Sequence, residues 1–353
     1  MSPSAQTGES EALLRRLAER CLGRAVTGVE PLPTGLGLRR FYRLRLAGPG
    51  PASAIARVEA PEDPAGRPAG LAPEPPLEPL RSVLETAGLP VPARLGGDPG
   101  AGVDLLEDVG DRSLADAVAG APAAARRALY AEACALVPRI QRVADPGGGL
   151  AAFARRLDGP LFRYKADLFA AWSLPAALGR ASRAAERRAV AEAFALVAAE
   201  SAAAPRRLAH RDLQSRNLQV RARAPRLVML DLQGALLAPP EYDLVCLLRD
   251  SYVELPEEEL EAHLARVRPE LPDAPDPESF ARRFDLLTLT RKGKDHARFL
   301  YAARARGDRR YLRHIPVTVR ALRRAARRSA ALDPRLARLA ELVEALPEAA
   351  CGG

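Results

Sequence analysis

The chain is almost without lysine and asparagine. Of its 53 basic residues only Lys165, Lys292 and Lys294 are Lys, and Asn217 is the single Asn in 353 residues. With abundant Ala, Pro and Gly, this skew is what a GC-rich coding sequence produces. The net charge of +9 is therefore read as composition and not as a nucleic-acid surface. Aromatic residues, which would stack on bases, make up only 5%, and the basic residues are spread over several helices. No run of about 18 uncharged apolar residues is present, which excludes a spanning helix. Met1–Ser10 has neither the basic start nor the apolar core of a secretory signal, so a soluble cytoplasmic protein is expected. The four cysteines, at 21, 134, 246 and 351, contain no C-x-x-C and none has a His at zinc spacing. The first three are expected to be buried small hydrophobes and Cys351 a tail residue.

What is present suits a globular enzyme. Hydrophobic residues make up 48% and charged residues 27%, enough for one large domain or two lobes. Residues 9–22 read as an amphipathic helix through Leu13, Leu14, Leu17 and Leu22. Arg40–Leu46, Ala54–Val58 and Val103–Leu106 read as strands. Seven prolines in 60–79 mark a loop or insertion, and Leu80–Ala87 a short helix ended by Gly88. The first hundred residues are thus strand-rich, with a turn-rich stretch at Pro31–Leu38. Beyond Gly110 the pattern turns helical: a helix around 129–140 kinked by Pro138, then 184–200, 242–251, 257–267, 278–306, 316–329 and 334–347. Two short strands, 218–220 and 227–230, interrupt it. The boundary falls near Glu107–Gly110, giving domains 1–107 and 108–353.

The chemistry lies in His210-Arg-Asp212-Leu-Gln-Ser-Arg-Asn217, followed by Leu227-Val-Met-Leu-Asp231. Phosphoryl transfer needs a carboxylate to orient the attacking hydroxyl and oxygen ligands for the magnesium that neutralises the phosphate. Asp212 supplies the first; Asn217 and Asp231 supply the second. His210 is mainly architectural. An Asn can equally cap a helix or make a turn. Yet a composition that has nearly removed Asn retains one at this spacing, which favours the metal ligand.

These residues resemble the catalytic core of the protein-kinase-like fold, more particularly the aminoglycoside phosphotransferase family. Asp231-Leu-Gln-Gly-Ala, Pro239-Pro-Glu-Tyr242-Asp243-Leu-Val-Cys-Leu-Leu-Arg-Asp250-Ser-Tyr-Val is similar to bacterial kinases of the anomeric hydroxyl of N-acetylmuramate and N-acetylglucosamine, which serve cell-wall recycling. Arg39–Arg43, Leu105–Arg112, Lys292–Lys294 with Phe299, and Tyr311–Pro316 agree more loosely. The likeness covers roughly residues 30–325. It implies an α+β, two-lobed architecture with an antiparallel-sheet N-lobe that binds nucleotide and a mainly helical C-lobe holding the catalytic loop, metal site and acceptor-binding helices.

The resemblance also implies ATP and Mg2+ as cofactors and a small-molecule acceptor, with no nucleic-acid or membrane partner. Gly35 and Gly37 would cover the phosphates, and Leu106, Glu107, Asp108 and Val109 would form the hinge that meets adenine. Asp243 would brace the catalytic loop, although an N-cap role at the start of its helix fits as well. Two departures stand out. Gly234 replaces a carboxylate of the sugar kinases. The N-lobe has no lysine, so Arg57 is the candidate phosphate clamp, with a plain strand residue as the other reading and Glu78 as the nearest partner Glu. Choline-type or aminoglycoside transfer and a nucleotide-binding pseudokinase are the rival functions.

Overall fold

The computed structural model describes residues 3–33, 39–59 and 73–349. Gly35, Gly37, residues 60–72 of the proline-rich stretch and Cys351 lie outside them. The chain packs as two compact units, Met1–Arg67 with Pro90–Asp111, and Pro68–Leu89 with Arg112–Gly353. A division after residue 107 would assign 68–89 to the first unit; its packing groups it with the second.

The first unit contains α1 (Pro3–Leu22) and strands β1 (Val26–Pro31), β2 (Arg40–Leu46), β3 (Ser53–Val58), β4 (Arg94–Asp98) and β5 (Val103–Glu107). They form an antiparallel sheet in the order β1-β2-β3-β5-β4. Leu14, Leu17 and Ala18 recur at helical spacing on one face of α1 and pack with Val26, Leu44, Ala56, Val103 and Leu105 as the core. Leu13, expected on that face, is 38% exposed, because each residue turns about 100° around the helix. Cys21, expected to be buried, is exposed, whereas Cys134 and Cys246 are buried. β1 and β4 do not show in the sequence pattern: Gly28, Pro31, Gly96 and Gly97 are poor strand formers, and pairing with β2 and β5 makes these strands.

The second unit begins with α2 (Leu80–Thr86), then α3 (Leu114–Val118), α4 (Ala123–Cys134), α5 (Leu136–Gln141), α6 (Ala151–Ala154), α7 (Gly159–Leu168), a π-helical turn (Phe169–Ser173), α8 (Leu174–Leu178) and α9 (Ala184–Ala203). Two strand pairs follow, β6 (Arg207–Ala209) with β9 (Leu236–Ala238) and β7 (Leu218–Val220) with β8 (Leu227–Met229). Then come α10 (Tyr242–Leu248), α11 (Glu257–Val267), α12 (Pro277–Ala305), α13 (Ile315–Leu332) and α14 (Ala337–Glu344). The break expected at Pro138 comes at Ala135. A proline ring clashes with the carbonyl four residues back, at Cys134, so the ladder fails there.

α12 is the spine of this unit. It packs on α7, the π turn, α9, α10 and α13. Gly293 lets it approach closely: a Cβ there would stand 3.1 Å from Phe169 and 3.3 Å from Phe194. Among the described residues no helix is long and apolar enough to cross a membrane.

Candidate active site

The strand β6 delivers the chain to His210 and the loop that follows. The His210 and Arg211 backbone N–H groups donate to the two oxygens of Asp243, at 2.7 and 2.9 Å. Asp243 lies in the first turn of α10, 2% exposed, and its carboxylate holds the loop without capping its own helix. That grip supports the left-handed conformation of Arg211, at φ 77°. The His210 ring fixes the loop from the other side, with Nε2 2.8 Å from the carbonyl of Leu230. Further on, Asp250 accepts from the Ser215 backbone N–H at 2.8 Å and from the Ser215 hydroxyl. The loop is thus suspended from two buried carboxylates of the segment that follows it.

Asp212 sits at the centre. Its Oδ1 accepts from Nη1 of Arg291 on α12 at 2.6 Å, and the side chain remains 26% exposed. Arg291 is 2% exposed and also donates to the Arg211 carbonyl at 3.2 Å. Burial alone would raise the Asp212 carboxyl, but Arg291, Lys294 and Arg211 outweigh it and hold the group well below the ordinary carboxylate range. Asp212 is anionic throughout the neutral range, with one oxygen pinned.

Asn217 and Asp231 lie at one end of the β7–β8 pair, where Leu218 pairs with Met229 and the Leu230 N–H donates to the Asn217 carbonyl at 2.8 Å. The Asn217 amide NH2 donates to the Asp212 carbonyl at 2.8 Å, which leaves its Oδ1 as the oxygen that could ligate a cation. Asp231 has φ 62°, a conformation Asp tolerates, and its Oδ1 accepts from Gln233 at 2.5 Å. Among the described residues no group of three His, Cys, Asp or Glu forms a metal site. One carboxylate and one amide oxygen is nevertheless a donor set that suits magnesium, which completes its shell with phosphate oxygens and water. The structure thus brings together His210, Asp212, Asn217, Asp231 and Asp243.

In the first unit, Arg57 on β3 is 3% exposed and bonds Asp104 at 3.0 Å and Glu59 at 2.5 Å. Its partners are these two carboxylates. Glu78, the Glu considered from sequence, pairs with Arg81. Leu106 and Glu107 close β5, paired with Ile55 and Ala54. The Asp108 side chain accepts from Arg43 at 2.7 Å, from the Ser53 hydroxyl at 2.7 Å and from the Gly110 N–H at 3.0 Å, so it braces the sheet; Val109 follows it.

Several residues around Asp212 have a role that the sequence does not reveal. Arg291, Lys292, Lys294 and Asp295 form one group: Asp295 takes Lys292 at 2.7 Å, Lys294 at 3.3 Å and Arg291 at 3.5 Å. Lys292 also donates to the Ser251 hydroxyl at 2.9 Å. Lys165 on α7 is buried beside the Tyr242 hydroxyl at 3.3 Å, and burial holds its amine well below the usual lysine range. The signal was the rarity itself. A chain that writes its cations as Arg retains Lys at 165, 292 and 294, all within electrostatic reach of this site.

Comparison with known proteins decides the class. The sequence pattern of the phosphotransferase enzyme family (APH) matches residues 29–281. The chain belongs to that family. It is 31% identical to an N-acetylmuramate/N-acetylglucosamine kinase of Pseudomonas aeruginosa over 78% of this chain and 79% of that one. It is 30% identical to the protein of the same name in Neisseria meningitidis, over 72% and 75%. Among solved structures, choline kinase LicA from Streptococcus pneumoniae superposes with a TM-score of 0.62 at 16% identity, covering 92% of this chain and 99% of that one. The spectinomycin phosphotransferase APH(9)-Ia, in complex with ADP and spectinomycin, gives 0.56 at 12%, over 95% and 98%. The expected protein-kinase-like fold and the phosphotransferase class both hold for this member of the family, whose acceptor is an alcohol group.

Proposed function

We propose that this phosphotransferase moves the γ-phosphoryl group of ATP to the anomeric hydroxyl of N-acetylmuramate or N-acetylglucosamine, in cell-wall recycling. The observation that carries the reading is the Asp212 carboxylate, one oxygen pinned by Arg291 at 2.6 Å and the side chain 26% exposed. A carboxylate held strongly anionic orients a hydroxyl well but is a weak base. It suits an acceptor whose proton is easily lost, and an anomeric hydroxyl is more acidic than other sugar alcohols. As the acceptor oxygen bonds to the γ-phosphorus, its proton passes to Asp212 and the bond to the β–γ bridging oxygen breaks, releasing ADP. Bound magnesium would neutralise phosphate charge; Asn217 and Asp231 are the residues that would hold it.

The electrostatics disfavour the rival acceptors. Choline and aminoglycosides are cations, whereas Asp212 is surrounded by Arg211, Arg291 and Lys294. The names of the relatives from P. aeruginosa and N. meningitidis support amino sugars. Intact Asp212, Asn217 and Asp231 disfavour a pseudokinase. The test is ADP release by the purified protein with ATP and each of N-acetylmuramate, N-acetylglucosamine, choline and an aminoglycoside. Turnover with either amino sugar supports the reading; turnover with the cations alone refutes it.

On the nucleotide side, Gly35, Gly37, Arg57 and the backbone of residues 106–109 are assigned to ATP. Arg57→Ala is expected to raise the apparent KM for ATP about tenfold, the loss of one charge-assisted phosphate contact, while Arg57→Lys retains most of the affinity. Because Arg57 also separates Asp104 from Glu59, a melting curve accompanies each variant. Unchanged ATP kinetics in a folded Arg57→Ala protein would leave Arg57 as a sheet brace only.

A further inference from the structure

The inner face of α12 does more than hold Asp212. Arg291, Lys294, Arg298 and Tyr301 stand at i, i+3, i+7 and i+10, one stripe of the helix. The stripe starts at the catalytic carboxylate, where Arg291 touches Asp212. Lys294 comes next. It pairs with Asp295 at 3.3 Å, its charge acts on Asp212, and its side chain is 14% exposed. One turn further, Arg298 acts on Lys294 and is half-buried. Among the described residues Arg298 has no ion-pair or hydrogen-bond partner. Three other arginines of the same helix do: Arg282 bonds Glu200, Arg283 bonds Glu241 and Arg291 bonds Asp212, while Arg304, near its end, is exposed to solvent. The guanidinium donors of Arg298 are therefore left to solvent or to a ligand.

The far end of the stripe is aromatic. Tyr301 is 40% exposed and meets Trp172, the one tryptophan of the chain, edge-on with ring centroids 5.2 Å apart. Trp172 belongs to the π turn that continues α7, a rare element that recurs at functional sites. Lys294 and Tyr301 are seven residues apart, about 10 Å along the axis, the span of one substituted hexose. The lysine is informative too. In a chain that otherwise writes its cations as Arg, an ammonium with three rotatable donors remains at 294. Such a group serves an anion and sugar hydroxyls equally well.

We infer that Lys294 and Arg298 bind an anionic substituent of the acceptor sugar, with Trp172 and Tyr301 as an apolar wall for its ring or N-acetyl group. The inference rests on the sugar-kinase reading and adds the residues that set selectivity. The cations here, Arg291, Lys292, Lys294 and Arg298, outnumber the carboxylates they act on, Asp212, Asp250 and Asp295. The surface therefore attracts a second negative charge and repels an ammonium. A sugar carboxylate and a sugar phosphate share this chemistry, and the experiment separates them.

The test compares N-acetylmuramate and N-acetylglucosamine 6-phosphate with neutral N-acetylglucosamine, as kcat/KM and as Trp172 fluorescence titrations of the same protein. The native protein is expected to prefer at least one charged sugar. Arg298→Gln should cut that preference about tenfold, Arg298→Glu should cut it further, and Arg298→Lys should retain most of it. The charged sugar that loses its advantage identifies the anion. Equal losses for charged and neutral sugars, or an unchanged ratio in folded Arg298→Gln, would overturn the inference. Absence of transfer to any sugar would instead refute the kinase reading, while the fluorescence titrations would still report whether Arg298 selects an anion.

Discussion

Asp231→Asn is expected to lower turnover at least about 10³-fold, the loss of roughly 4 kcal/mol of transition-state stabilisation. The fold should survive. Asp231 sits at φ 62°, which Asn adopts as easily as Asp. Gln233, 2.5 Å from Oδ1, retains an oxygen to bond. What disappears is the one charged oxygen ligand proposed for magnesium, since Asn217 offers only a neutral amide. Steady-state kinetics at saturating magnesium, beside a melting curve, check the result. Near-normal turnover in a folded variant would remove Asp231 from the metal site.

Arg291→Met should have the second largest effect, and of a different kind. It removes the donor 2.6 Å from Asp212 Oδ1 and a counter-charge of Asp295. The stability cost is about 2–4 kcal/mol, below that of a fully buried broken pair, because Asp212 is 26% exposed and Lys292 remains on Asp295. The pH profile carries the specific signature. In the native protein Asp212 lies well below its ordinary value, so its ionised form persists as pH falls and no acid limb from this group appears near neutrality. Without Arg291, burial pushes the carboxyl upward. The acid limb of kcat/KM should then move to higher pH by about one to two units. Arg291→Lys restores a cation and should move it back part of the way. A folded Arg291→Met protein with an unshifted profile would show that Arg291 does not act through Asp212.

The catalytic loop was legible because its information is local. His210, Asp212 and Asn217 fall within eight residues, and Asp231 follows a short apolar strand. α11 could be read to the residue, over 257–267, because its apolar positions keep one helical face. Arg291 could not be read. It lies mid-helix, where a charged residue ordinarily marks the solvent side, and its partner Asp212 is 79 residues away. The stretch α7–π turn–α8 was missed although Asp158-Gly-Pro160 is a helix-start signal: Asp158 accepts from the Leu161 N–H at 3.3 Å and Pro160 occupies the first turn. The strands of three residues, β6 and β9, are set by tertiary pairing and have no pattern of their own.

The most direct measurement is phosphorus NMR of the product formed from ATP and an N-acetylated amino sugar. The account predicts a phosphomonoester coupled to the anomeric proton of the sugar, present with the native protein and absent with Asp212→Asn. A phosphate on any other hydroxyl, or the same product from Asp212→Asn at the native rate, would contradict it.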